Sequence, residues 1–121
     1  MTSWRLTEPA EQHLAKIMAW SEHDFGPLRA ARYRRLLSDA MDDVVSDPER
    51  FGATRIPRFS GIWEYELRHS KDRAPRDQRI RDPWHKLIYR PLPDGTVEIL
   101  AIVGRSFPSG RAARAAMRDA G

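Results

Sequence analysis

The chain has 121 residues and no cysteine. That length suits one domain, in which a single core buries roughly two thirds of the unfolded chain's surface without a disulfide or metal. The missing cysteines exclude disulfide frameworks, thiol nucleophiles and the common structural zinc sites, and no window approaches the roughly 20 apolar residues of a membrane span.

Lysine and arginine total 21 against 17 aspartates and glutamates, a net charge of +4, and all but Lys16, Lys71 and Lys86 are arginines. The planar guanidinium binds phosphate bidentately and stacks on bases, so this bias suits nucleic acid or an acidic protein partner, or simply reflects an arginine-rich genome. The first residues lack a basic stretch followed by an apolar block. The expectation is a soluble, cytoplasmic protein with no membrane attachment, forming one domain over residues 1–121.

In chain order, "SWRLT" at 3–7 alternates and reads as a first strand. Thr7 can cap a helix whose first turn holds Glu8, Pro9 and Glu11, residue types favoured there. Apolar residues recur at Ala10, Leu14, Ile17, Met18 and Phe25, and "FGP" at 25–27 stops this helix and starts the next. The second helix has the cleanest pattern: Tyr33, Leu36, Leu37, Ala40, Met41, Val44 and Val45 repeat in steps of three and four until Asp47-Pro48. Two amphipathic helices with a tight turn make a helical hairpin that needs an apolar surface to lie on.

A sheet supplies that surface. "TRIPRFSGIWEYELRH" at 54–69 alternates, with Trp63, Tyr65 and Leu67 facing one way and Ile62, Glu64, Glu66 and Arg68 the other. "WHKLIYRPL" is a second extended run, "PDG" at 93–95 a hairpin turn, and "TVEILAIVG" at 96–104 a return strand apolar enough on both faces to be central. Between the first two runs lies "SKDRAPRDQRIRD", a basic loop at 70–82. Loops of this length are usually functional or disordered. The tail at 109–121 reads as flexible or helical. The expected fold is α+β: an N-terminal strand, a helical hairpin, then a three-stranded antiparallel meander, with the helices packed on one face of the sheet.

Little supports metal, cofactor or nucleophilic chemistry. The four histidines are spread over separate elements, and no HExxH, phosphate-cradling glycine loop or GxSxG is present. His13, outside the apolar stripe, and His23, near a helix end, read as structural or solvated. Glu64 and Glu66 share a strand face, where with Arg68 they read as a charged outer surface. The second run is different. On an extended strand His85, Leu87 and Tyr89 share one face and Lys86, Ile88 and Arg90 the other. Tyr89 and Leu87 are then core and Lys86 and Arg90 a solvated face. Alternatively, Arg68, Arg79, Arg81, Lys86, Arg90 and Arg105 line a basic, uncovered sheet that cradles a phosphate backbone. In that reading His85 transfers protons near neutral pH.

The ordered set Ala10, Leu14, Ile17, Phe25-Gly26, Ala31, Tyr33 and Leu37 resembles the opening of RelE/ParE-family toxins of bacterial type II toxin–antitoxin systems. Arg81, His85, Tyr89, Arg90, Asp94-Gly95, Val97 and Ile99 resemble the last hairpin of the ParE-like (plasmid stabilisation) branch. The likeness covers about residues 3–107. It implies a small α+β toxin held in a hetero-oligomer by a cognate antitoxin encoded adjacently. ParE-like relatives poison DNA gyrase and need no catalytic residues. RelE-like relatives cut mRNA on the ribosome, a role that would fall here to His85, Tyr89, Arg90 and Arg105. For a gyrase poison the target-binding residues would be Arg68, Arg79, Arg81, Lys86, Arg90 and Arg105. The chain departs from the branch at Trp84, where relatives often have arginine, and at Val103-Gly104-Arg105-Ser106-Phe107, which replaces a run containing a histidine and an acid. It also lacks the closely spaced lysines and C-terminal tyrosine expected of the nuclease, which favours the ParE-like reading. A degenerate member that binds antitoxin without toxicity is the third possibility.

Overall fold

The computed structural model describes residues 3–120. Met1, Thr2 and Gly121, which the expected domain includes, lie outside the described residues. Strand β1, Trp4–Leu6, leads directly into helix α1, Glu8–Ser46, whose first turn is capped by the Thr7 hydroxyl accepting the Ala10 N–H. The helix breaks once, at Gly26, where φ is 86° and ψ 169°. That conformation is essentially glycine-only, and Pro27 then pre-sets the backbone of the second arm. The arms fold back on each other: Trp20 meets Tyr33 edge to face with centroids 6.4 Å apart, and Leu14 shares a cleft with Leu37 and Met41. The hairpin read from the sequence is present.

The sheet has five strands in the order β1-β5-β4-β3-β2. Strands β3 (Trp63–Glu66), β4 (His85–Pro91) and β5 (Val97–Gly104) form the expected antiparallel meander. The turn between β4 and β5 is the anticipated Asp94-Gly95, with Gly95 at φ 89° and the Thr96 N–H donating to Asp94 Oδ1. Strand β1 closes one edge by pairing parallel with β5.

At the other edge the sequence suggests one strand through 54–69, but the structure has two. The short β2, Ala53–Arg55, pairs antiparallel with β3 across a turn containing Arg58 and Gly61, both at positive φ. Pro57 cannot donate to a ladder, so the run folds back there.

The hairpin covers one face of this sheet. Tyr33, Leu37, Met41 and Val44 of α1 pack with Tyr65, Leu87, Tyr89, Ile99 and Ile102, and full burial of each such side chain contributes about 1.5–3 kcal/mol. The opposite face was expected to be open. It is covered instead by helix α2, Ser109–Ala120, which sets Ala112, Ala113 and Ala116 against Ile56, Ile88, Leu100 and Ala101. Three alanines on one helical face let the helix lie close to the strands. This is why a stretch with so little apolar volume still seals the sheet.

Strand β5 bulges at Leu100 and Ala101, with Ile88 paired to Ala101 and Tyr89 already to Ile99. Thr7 spans the irregularity, its N–H and hydroxyl meeting the Ile99 carbonyl and its hydroxyl also the Leu100 carbonyl. The Ile102 N–H donates to His13 Nδ1 at 3.2 Å. Of the two roles its position allowed, structural or solvated, His13 has the structural one.

The 70–82 loop is not a free strand of chain. A 3-10 helix at Leu67–Arg73 runs into it, a second lies at Arg76–Gln78, and the segment is fastened to α1 through Asp43. That buried carboxylate accepts from Ser70 Oγ at 2.6 Å, Arg50 at 3.1 Å and Arg73 at 3.2 Å. Three donors satisfy a charge that would otherwise be costly to bury.

Candidate functional site

At the bend end of the hairpin the start of β4 and the end of the 70–82 segment close a cleft of about 240 Å³. Trp20, Phe25, Arg29 and Tyr33 come from α1, and Ile80, Asp82 and Trp84 from the approach to β4. The aromatic rings interlock: Trp20 lies edge-on to both Phe25 and His85, with centroids 5.5 and 5.6 Å away. Two guanidiniums rest on the outer rings, Arg29 over Phe25 at 4.9 Å and Arg105 over Trp84 at 4.7 Å. Arg105 also forms a 2.7 Å ion pair with Asp82, while Arg29 has no carboxylate partner among the described residues.

Beneath the cleft Tyr33 Oη lies 2.7 Å from His85 Nδ1 and accepts the Trp84 N–H at 3.1 Å. The direction of the Tyr33–His85 bond follows the tautomer of the imidazole. Burial pushes the histidine pKa down from 6.5 to about 4, so the ring is neutral at physiological pH. The same burial raises Tyr33 to about 12, against the lowering effect of the Trp84 and His85 amides and the Arg29 and Arg105 charges. Both groups hold their protons fixed at neutral pH.

The remaining residues singled out from the sequence are each engaged locally. Tyr89 is fully buried on the hairpin side, donates to the Pro48 carbonyl at 2.6 Å, and has its pKa raised by burial. Arg90 lies on the other face, bound to Glu98 at 2.6 Å and near the Met117 sulfur. Glu98 also accepts from Arg5, and these two arginines outweigh its burial and hold its carboxyl below the usual range. Lys86 is buried with its ammonium 2.7 Å from Ser109 Oγ at the head of α2, and Glu64 at 4.0 Å. Arg68 pairs with Glu66 at 3.3 Å, and Arg79 is spent on the Ala74 and Asp72 carbonyls at 2.9 and 3.1 Å. Arg81 is exposed near the cleft's Ile80 and Asp82.

The sheet therefore does not gather these cations on one open surface. Lys86 and Arg90 lie under α2, Arg68 and Arg79 hold neighbouring backbone or side chains, Arg105 stacks on Trp84 at the cleft, and Arg81 is exposed between the lining residues Ile80 and Asp82 in sequence. His85 and Tyr89 share a face but bond in different directions, and Arg90 points away from both.

The hairpin's contribution to the site, Trp20, Phe25 and Arg29, was missed. One signal was available. Trp20 falls outside the Ala10, Leu14, Ile17, Met18 stripe, and a large aromatic off the apolar face of a helix has to meet something else or stay exposed.

No helix of the described residues is long and apolar enough to cross a membrane. No curated protein matches the chain. Residues 4–107 match the family described as the ParE toxin of the type II toxin–antitoxin system, parDE. That span takes in β1, the hairpin, the full meander and every residue of the cleft. The chain belongs to the ParE toxin family of type II toxin–antitoxin systems.

Proposed function

We propose that this toxin acts in the cytoplasm by inhibiting DNA gyrase and is neutralised in a complex with a cognate antitoxin encoded beside it. Family membership supports the toxin role. One observation favours gyrase over mRNA cleavage: the groups a ribosome-dependent nuclease would draw on are separately committed. General acid–base catalysis needs a group within hydrogen-bond reach of the reacting atom, with a pKa near the working pH. His85 is 9% exposed, has Nδ1 occupied by Tyr33, and titrates near 4. Tyr89 is sealed under the hairpin and Arg90 is neutralised by Glu98. A toxin that acts by binding needs none of these groups to be free.

Inducible expression of the chain without an antitoxin tests the proposal in one culture. The expected result is growth arrest with filamentation and a DNA-damage response while mRNA stays intact. Codon-periodic cuts in ribosome-bound mRNA would replace gyrase with the nuclease activity. Normal growth in cells containing soluble, folded protein and a sensitive gyrase would leave a binding module without toxicity.

A further inference from the structure

We propose that the aromatic cleft at the hairpin bend is the docking site for one acidic segment of the antitoxin, which seats a large apolar side chain between Trp20 and Trp84 and a carboxylate on Arg29. The inference rests on the antitoxin complex proposed above and specifies where on this chain that partner is gripped.

Exposed apolar surface is concentrated here. The described residues include six large hydrophobics that remain exposed, and Trp20, Phe25 and Trp84 among them line this one cleft, with Leu28 in the same bend at 66%. Large aromatics left half in water and converging on a concavity are the usual anchor points of a protein partner.

The cleft's volume of about 240 Å³ falls below the about 300–1,000 Å³ typical of small-molecule sites. It suits a side chain entering from a larger surface better than a whole cofactor.

Charge identifies the visitor's sign. The Arg29 side chain makes no hydrogen bond or ion pair among the described residues; its guanidinium lies over the face of Phe25 at 4.9 Å. Stacking holds the guanidinium plane in place and leaves its five N–H groups for an acceptor, so little side-chain freedom remains to be lost on binding. Arg105 is held in the same way on Trp84, though Asp82 already neutralises it. The lining therefore carries one uncompensated positive charge beside an apolar floor. An apolar anchor with an adjacent carboxylate complements it.

The floor also argues for protein over nucleic acid. Tyr33 Oη and His85 Nδ1 bond to each other, and the Trp84 N–H is used as well. Few polar groups are left to read a base edge.

The test uses the purified full chain and the purified product of the adjacent reading frame, titrated by calorimetry. Arg29→Glu reverses a charge at an exposed helical position and should keep the fold, which circular dichroism checks. It is expected to weaken the complex at least tenfold, and Trp84→Ala by a similar factor. Arg111→Glu, exposed on α2 and stacked on Phe107, should stay within twofold. Replacing the partner's acidic residues by arginine, one at a time, should recover affinity against Arg29→Glu at one position.

Affinities within twofold of the parent for both Arg29→Glu and Trp84→Ala would overturn the docking site while leaving the antitoxin complex standing. Failure of the unmodified chain to bind the neighbouring protein would overturn the complex and the docking site together. Loss of gyrase inhibition in Arg29→Glu with antitoxin affinity unchanged would assign the cleft to the target. Arg29-dependent binding of a single-stranded oligonucleotide, with antitoxin affinity again unchanged, would assign it to nucleic acid.

Discussion

His85→Gln, compared with the unmodified chain across pH, probes the buried pair beneath the cleft. Glutamine keeps an acceptor for the Tyr33 hydroxyl but cannot titrate. In the folded chain burial holds the histidine near pH 4, whereas unfolded it titrates near 6.5. Between those values the unfolded state binds more protons, so stability rises with pH there. Histidine's neutral-form stability is fully present above about 6.5 and is lost as pH falls toward 4. Each pH unit of that window is worth about 1.4 kcal/mol, so the descent to pH 5 costs about 2 kcal/mol and the full window about 3.

His69, lowered by burial and by Arg68, acts in the same direction in both proteins and cancels from the comparison. Urea unfolding at pH 7.5 and pH 5 measures the difference, and His85→Gln should lose about 2 kcal/mol less than the unmodified chain. Parallel losses in the two proteins would show that His85 is not held neutral by burial and would refute the reasoning.

Two further substitutions test the frame around the site. Tyr33→Phe removes the hydroxyl that serves both the Trp84 N–H and His85 Nδ1, and should destabilise by about 1–3 kcal/mol in urea unfolding; a change under about 0.5 would mean water replaces it readily. Gly26→Ala meets no atom within 4 Å but forces alanine to φ 86° and ψ 169°. Backbone strain alone should therefore cost about 1–3 kcal/mol, and an unchanged unfolding midpoint would contradict the rigid bend.

The parts of this fold that were legible in the sequence are those with a repeating signal. The Tyr33-to-Val45 spacing, the Phe25-Gly26-Pro27 break and the Asp94-Gly95 turn each carry a local cause, and each produces the element it implies. The departures arise where no period exists. Strand β2 has three residues at a sheet edge, too few to alternate visibly. The 67–78 region is organised by 3-10 turns and by Asp43, 24 or more residues away along the chain. Helix α2 holds the sheet with alanines, whose small apolar area gives a weak signal, yet it removes Lys86 and Arg90 from the open surface that strand alternation alone assigned to them.

The candidate site was legible only from its β4 side. Strand alternation correctly put His85 and Tyr89 on the same face, and the resemblance drew attention to Arg81, Arg90 and Arg105. Nothing local says that Tyr33 will reach His85 across 52 positions, or that Trp20 and Arg29 will close a cleft with Trp84. Those contacts come from the tertiary docking of the hairpin on the sheet. The same docking fixes the protonation state of His85, which composition and spacing leave open.

The most direct measurement of the proposed activity is supercoiling of relaxed plasmid by purified gyrase, with the purified chain titrated in before and after adding the antitoxin. Gyrase poisoning requires that supercoiling fall with increasing toxin, that cleaved DNA accumulate, and that antitoxin restore activity. Full supercoiling at saturating, folded toxin, in an assay where a known gyrase poison works, would contradict it.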